Sequence, residues 1–409
     1  MRILLLTPRV PYPPYRGDKL KIFNLIKRLA RSHEIYLICF AQTRRDLGNL
    51  QQLRPYCKQI NHVKLPVWLS LLKCFAGLFL SVPLQVQYFK SRRMQNLIDR
   101  ACRGQHFDII HTHLIRMAQY TAGKSGSVRV LDLTDAVSLY LERFMARAKN
   151  PLLKLLLKIE LQRMMRYERL LEQFHACFVC SAPDREQLRK TAPEAAIELI
   201  PNGVDLSYFS TNGSLPDYDP DRIIFTGNLS YYPNIDGILH FTNDIFPLIK
   251  RERPSAKLYV VGQSPPAKVR ALASPDVIVT GFVEDIKQYY LSSAVAVSPI
   301  RFGAGTLNKI IEPMALGVPV VATSVGVEGL EVIPGEDILV ADQPQAFARN
   351  VVAVLQDSAL REKLRQGGMA VIRKRYDWDA IVTRLEGIYQ ELVLQQSRQE
   401  KAKTFSAID

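Results

Sequence analysis

Thirteen short apolar runs, each closed by turn or polar residues and separated from the next by stretches of helical character, constrain this chain more than any other feature. Seven lie in the first half: RILLLT, EIYLICF, QINHVKL, FDIIHTH, VRVLDLT, ACFVCS and IELIPN. Between them stand segments such as Lys19 to Arg31, where apolar and basic faces alternate with helical period. Strands of this length alternating with helices build parallel sheets covered on both faces. The second half repeats the pattern from RIIFTGN through AKLYVVG, DVIVTG, VAVSPI, VPVVAT and ILVAD, so the chain reads as two α/β, doubly wound domains. The loop-like PNGVDLSYFSTNGSLPDYDPD separates them. Residues 1–200 form the first domain, 201–379 the second, and 380–409 a last helix from about Ala380 to Leu394 with a frayed tail; its return to the first domain is left open. No short fixed repeat is present, which excludes a solenoid. Ligands of such sheets bind beyond the carboxyl ends of the strands, so two domains imply a crevice for a substrate pair.

With 409 residues, 47% hydrophobic and 23% charged, the chain is ordinary globular protein rather than a disordered one. The apolar start, MRILLLT, is too short for a signal peptide, and the longest apolar stretch, VWLSLLKCFAGLFLSV, is broken by Lys73 and too short to span a bilayer. Scattered cysteines in apolar context suit a reducing, cytoplasmic compartment. Cys177 and Cys180 form a C-x-x-C on a strand, where alternation sends them to opposite faces, so they read as buried small hydrophobes. The net charge of +15 is unevenly divided. Residues 1–200 hold 33 Lys and Arg against 15 Asp and Glu, a net +18, and residues 201–409 hold 21 against 24, a net −3. Such a bias points to an anionic partner for the first domain. No aromatic platform is interleaved with the basic residues, which argues against nucleic acid. The helix NPLLKLLLKIELQRMMRYERLLEQF sets Lys154, Lys158, Arg163, Arg166 and Arg169 among leucines and methionines. It either packs on the sheet with solvated basic residues or lies, together with the 67–82 stretch, on an anionic inner membrane face.

The stretch VAVSPIRFGAGTLNKIIEPMALG passes from strand to helix through Gly303-Ala304-Gly305-Thr306. Glycines here let backbone approach a ligand closely, and the helix N-terminus offers free N–H groups to an anion such as diphosphate. Lys309 and Glu312 share a helix face at i,i+3 spacing. The lysine can balance phosphate charge, and the carboxylate can accept hydrogen bonds from two ribose hydroxyls. A glycine turn beside a surface Lys–Glu pair is the plain alternative.

Taken together, KIIEPMALGVPVVAT, VSPIRFGAG, LIPNGVDLSYF, IIFTGNLSYYPNIDG and FDIIHTH resemble the retaining glycosyltransferases of family 4, with two Rossmann-like domains in the GT-B arrangement, and the likeness runs nearly the whole chain. It looks closest to bacterial sugar transferases of exopolysaccharide assembly. The resemblance implies a nucleotide-sugar donor held by the second domain, a lipid-linked or saccharide acceptor held by the first, retention of anomeric configuration, and neither cofactor nor metal, since no D-x-D stands beside a donor loop. Glu312 matches the second glutamate of the family's E-x7-E motif, and Ala304 stands where the first would be. Asn228 and Asn234 stand where the family places the Arg and Lys that clamp the donor phosphates, which leaves Lys309, Arg301 and the helix dipole to balance the charge. His113, in an H-x-H with His111 at a strand end, would touch the donor sugar. No third metal ligand lies near these two in sequence. Gly17, at a helix start after PRVPYPPYR, would approach the diphosphate, though Asp18 replaces the family's second glycine. Asp132 and Asp135 are candidates to orient the acceptor, with helix capping as the alternative for Asp135. A nucleotide-sugar epimerase and a non-catalytic scaffold of the same fold stay open.

Overall fold

The computed structural model describes residues 1–211, 217–303 and 308–405, with side chains to Lys401. It divides into two compact units, Met1–Pro201 with the segment from Asp379 onward, and Asn202–Trp378.

In the first unit, β1 (Arg2–Thr7), β2 (Glu34–Ala41), β3 (Gln59–Lys64), β4 (Ile109–His113), β5 (Val128–Thr134), β6 (Ala176–Val179) and β7 (Ile197–Leu199) form one sheet in the order β3-β2-β1-β4-β5-β6-β7. Every pairing is parallel. The runs are apolar on both faces because helices cover both, and Ile3 to Leu6 are buried without a break. The chain winds outward from β1 to β3 and then returns to the other side of β1 as β4. Their carboxyl ends therefore diverge into a crevice at this topological switch point.

Helix Gly17–Leu29 starts on Gly17 and buries Ile22, Leu25, Ile26 and Leu29 against the sheet. The terminal helix runs from Trp378 to Phe405 without a stop near Leu394, since Gln, Arg, Glu, Lys and Ala all sustain a helix. Within this unit it is tied down by Asp379, which accepts from Arg28 Nε at 3.1 Å and Arg31 Nη1 at 2.6 Å, and by the fully buried Leu385 and Tyr389.

Two further helices expose apolar side chains. Val67–Gly77 and the residues after it present Trp68 (66% exposed), Phe75 and Phe79 (87%). Pro151–Glu168 buries Leu157, Leu161 and Met164 but leaves Leu152, Leu155, Leu156 and Ile159 exposed. Packing on the sheet thus accounts for only one face of this basic helix. The two regions are linked, since Arg163 Nη2 donates to Leu78 O at 2.5 Å.

The second unit repeats the topology with β8 (Asp219–Thr226), β9 (Lys257–Val261), β10 (Val277–Gly281), β11 (Ser293–Ser298), β12 (Val320–Ala322) and β13 (Leu339–Val340), ordered β10-β9-β8-β11-β12-β13 and parallel throughout. Here β8 and β11 form the switch point. Helix Asn308–Ala315 follows β11 and lays Ile310, Ile311 and Met314 into the core.

Candidate functional site

The carboxyl end of β8 is Thr226, followed by Gly227 and Asn228. Helix Asn308–Ala315 turns Lys309 and Glu312 toward this point, as i,i+3 spacing dictates. Lys309 Nζ donates to Asn234 Oδ1, and Asn234 Nδ2 donates to Asn228 O at 2.8 Å, so one amide joins the lysine to the loop. The Asn228 side chain turns back on its own loop and accepts from Ser230 N and Oγ. Lys309 also stands 4.9 Å from the Phe225 ring centroid. Glu312 Oε2 accepts from Tyr290 OH at 3.2 Å, and that hydroxyl pairs with Thr226 Oγ1 at 2.7 Å. Gly227 leaves room for this network: a Cβ there would stand 2.7 Å from Asn234 Nδ2 and 3.2 Å from Lys309 Nζ and would push those side chains aside.

Electrostatically, the site is unfinished. Burial pulls Lys309 down to about 7 and pushes Glu312 up to about 7, and neither the attraction between them nor the Tyr290 hydrogen bond offsets it.

Arg301 is engaged elsewhere, in a two-pronged pair with Asp236 (2.9 and 2.7 Å), so its charge is matched within the unit. Gly303 lies beyond β11, and among the described residues a Cβ there would meet Ile300 at 3.9 Å. Ala304, Gly305 and Thr306 lie outside the described residues.

At the first unit's switch point His113 ends β4, buried, with Nε2 3.1 Å from Asp18 O. His111 Nδ1 bonds Tyr389 OH of the terminal helix. Asp132, on neighbouring β5, places Oδ2 3.9 Å from His111 Nε2 and 3.8 Å from His113 Nδ1. These three residues hold one ligand atom each within 4.8 Å of one another, a grouping invisible along the sequence because β5 supplies the third member. The cluster is already charge-balanced, however, because Lys21 Nζ donates to Asp132 Oδ1 at 2.8 Å and to Ile200 O at 3.2 Å. Burial alone would lower Lys21 and raise Asp132, but their mutual attraction outweighs it, holding the lysine above and the carboxyl below its ordinary value. Asp132 is thus committed to Lys21. Asp135 is half-buried and pushed up to about 7 by burial and by neighbouring Asp184. It does not cap the next helix, whose N-cap is Ala136, with Asp184 Oδ1 accepting from Ala136 N at 2.9 Å. Gly17 is exposed, and a Cβ there meets nothing within 4 Å. Cys177 and Cys180 are both buried.

Sequence reasoning missed Thr226, Tyr290 and Lys21. A tyrosine or lysine inside an amphipathic helix carries no signal of its partner. Only the glycine-ended strand FTGN marked the spot beside Thr226.

The sequence profile of a family described as "Glycosyltransferase Family 4" matches residues 22–208, and that of "Glycosyl transferases group 1" matches residues 220–357. An uncharacterized 44.6 kDa protein in the cps region of Klebsiella pneumoniae is 24% identical over 165 residues, 38% of this chain and 42% of that protein. A phosphatidyl-myo-inositol mannosyltransferase of Mycobacterium tuberculosis is 25% identical over 204 residues, 47% and 53% respectively. The chain spans about half the length of the curated relatives it matches. Among solved structures, sucrose-phosphate synthase from Thermosynechococcus elongatus aligns over 97% of this chain and all of its own with TM-score 0.70 at 18% identity. Anabaena HepE, solved in complex with UDP and glucose, aligns over 96% of this chain and all of its own with TM-score 0.70 at 15% identity, a likeness of fold.

Proposed function

Because the chain belongs to the glycosyltransferases of GT-B fold, with a family 4 domain followed by a group 1 domain, we propose that it moves a sugar from a nucleotide-diphosphate donor to a saccharide or lipid-linked acceptor in bacterial exopolysaccharide synthesis. The donor is held by the second unit, the acceptor by the first. The observation that carries the reading is the half-buried Lys309–Glu312 pair at the carboxyl ends of β8 and β11, whose mutual attraction does not offset the cost of desolvation. The relatives' names support the class of reaction: one lies in a cps region, and one is a mannosyltransferase.

In this reading Glu312, oriented by Tyr290, accepts from the donor ribose, and Lys309, steered by Asn234, meets the diphosphate. Asn228 and Asn234 supply hydrogen bonds in place of charge. Among the described residues no carboxylate stands beside Lys309 and Glu312 as a covalent nucleophile, so in this reading the acceptor hydroxyl attacks from the face the diphosphate leaves, and a leaving phosphate oxygen takes its proton. The anomeric carbon loses one C–O bond and gains another with retention. The protein contributes positioning and stabilisation of the departing charge, and a divalent cation is not needed. Glu312→Ala is expected to raise donor KM or abolish turnover; unchanged kinetics would remove the ribose assignment.

Among the described residues no helix is long and apolar enough to cross a membrane. The exposed apolar residues of Val67–Gly77 and Pro151–Glu168, with Lys154 and Lys158 between them, support peripheral attachment to an anionic bilayer.

A further inference from the structure

The first unit holds an unfinished piece of electrostatics of its own, apart from the balanced Lys21–Asp132 cluster. At the carboxyl ends of β1 and β4, Arg9 Nη1 donates to Asp18 Oδ2 at 2.7 Å, and Arg16 Nε lies 3.4 Å from Asp18 Oδ1. One carboxylate therefore serves two guanidiniums. Arg116, just past β4, is near enough to feel Arg9, Arg16 and Asp18, yet its buried Nε has no hydrogen-bond partner among the described residues. The remaining carboxyl within its influence, Asp135, is pushed up to about 7 and carries only part of a charge at neutral pH. Positive charge is left in surplus at a half-buried place. An unpaired guanidinium there is costly unless a ligand anion completes it.

The surroundings connect this surplus to the exposed apolar helices. Arg116 stands 5.5 Å from the Phe89 ring centroid, and Gln119 Nε2 donates to Val86 O at 3.1 Å. Val86 belongs to the short helix Leu84–Tyr88. Leu84 N of that helix donates to Glu160 Oε1 of Pro151–Glu168 at 2.7 Å, and Gly77 lies so close to it that an added Cβ would be 3.1 Å from Gln87 Cγ. Guanidiniums and exposed leucines thus share one packed substructure.

We propose that Arg116, flanked by Arg9 and Arg16, receives the phosphate of the acceptor, so that the acceptor is a phosphate-bearing lipid whose apolar part lies along the exposed helices. This rests on the reading that the first unit takes the acceptor. Arginine suits the task because its planar fork grips two phosphate oxygens at once. Donor phosphate is the competing source of the same chemistry.

The test is flotation of the full chain with phosphatidylcholine vesicles carrying either a polyprenyl phosphate or phosphatidylglycerol at matched surface charge. Wild type should prefer the polyprenyl phosphate vesicles by roughly tenfold, as expected for one charge-assisted pair. Arg116→Gln should erase the preference while leaving binding to phosphatidylglycerol vesicles intact. Inorganic pyrophosphate should erase it in wild type, an arm that needs no variant to fold. The proposal is overturned if wild type shows no preference, if Arg116→Gln keeps it, or if pyrophosphate fails to compete. It is also overturned if Arg116→Gln instead abolishes thermal stabilisation by UDP-glucose with the vesicle preference retained, for the phosphate would then be the donor's. Failure of the transferase reading looks different: no nucleotide sugar stabilises wild type, whatever the vesicles show.

Discussion

Each unit sets one lysine at its switch point, fully buried in the first and half-buried in the second, and the two have opposite fates. Lys21 sits 2.8 Å from the carboxylate of Asp132 and is held above its ordinary pKa. Among the described residues Lys309 bonds the amide of Asn234, and desolvation pulls it down to about 7. The same topology therefore makes a finished structural pair in one sheet and a site awaiting charge in the other.

The comparison can be broken at Lys21 first. Lys21→Met leaves Asp132 buried and uncompensated and should cost about 3–5 kcal/mol, read as a fall in denaturation midpoint; a loss near zero would show that the pair is not structural. Next in size is the pH dependence of donor affinity. Diphosphate needs Lys309 protonated, and the lowered pKa means that the free site must take up a proton above pH 7, so affinity should fall as pH rises from there. Ribose needs Glu312 ionised, and its raised pKa means that a proton must be lost below pH 7, so affinity should also fall on that side. Each limb is worth up to about tenfold per pH unit. Glu312→Gln should flatten the acid limb alone, and calorimetry in buffers of different ionisation enthalpy would expose a flat profile if the lysine were already charged. The smallest effect is expected from Tyr290→Phe, which removes the donor to Glu312 and should cost about 1 kcal/mol of donor binding with the fold kept, checked by titration calorimetry.

Much of this was legible in the sequence. All thirteen apolar runs are strands, because period and turn residues are local properties of the chain. The Lys309–Glu312 pair was legible for the same reason, since i,i+3 spacing fixes a helix face. What the sequence hid was contact across strands. Asp132 reads as a free carboxylate in VLDLTD until β5 is laid beside β4 and helix Gly17–Leu29 brings Lys21 onto it. Arg301 reads as a free cation beside the glycine turn, and only the fold reveals Asp236 opposite. The sequence marks the terminal helix only to about Leu394, because apolar periodicity fades there while helix propensity continues to Phe405.

The most direct measurement is thermal stabilisation of the full chain by a panel of UDP-, GDP-, ADP- and CMP-sugars, with Lys309→Ala and Glu312→Ala beside wild type. Stabilisation by one nucleotide class that both substitutions abolish is the predicted result, and it would also identify the donor base. Stabilisation that survives both substitutions, or none with any donor, would contradict the site and leave a scaffold of this fold as the better account.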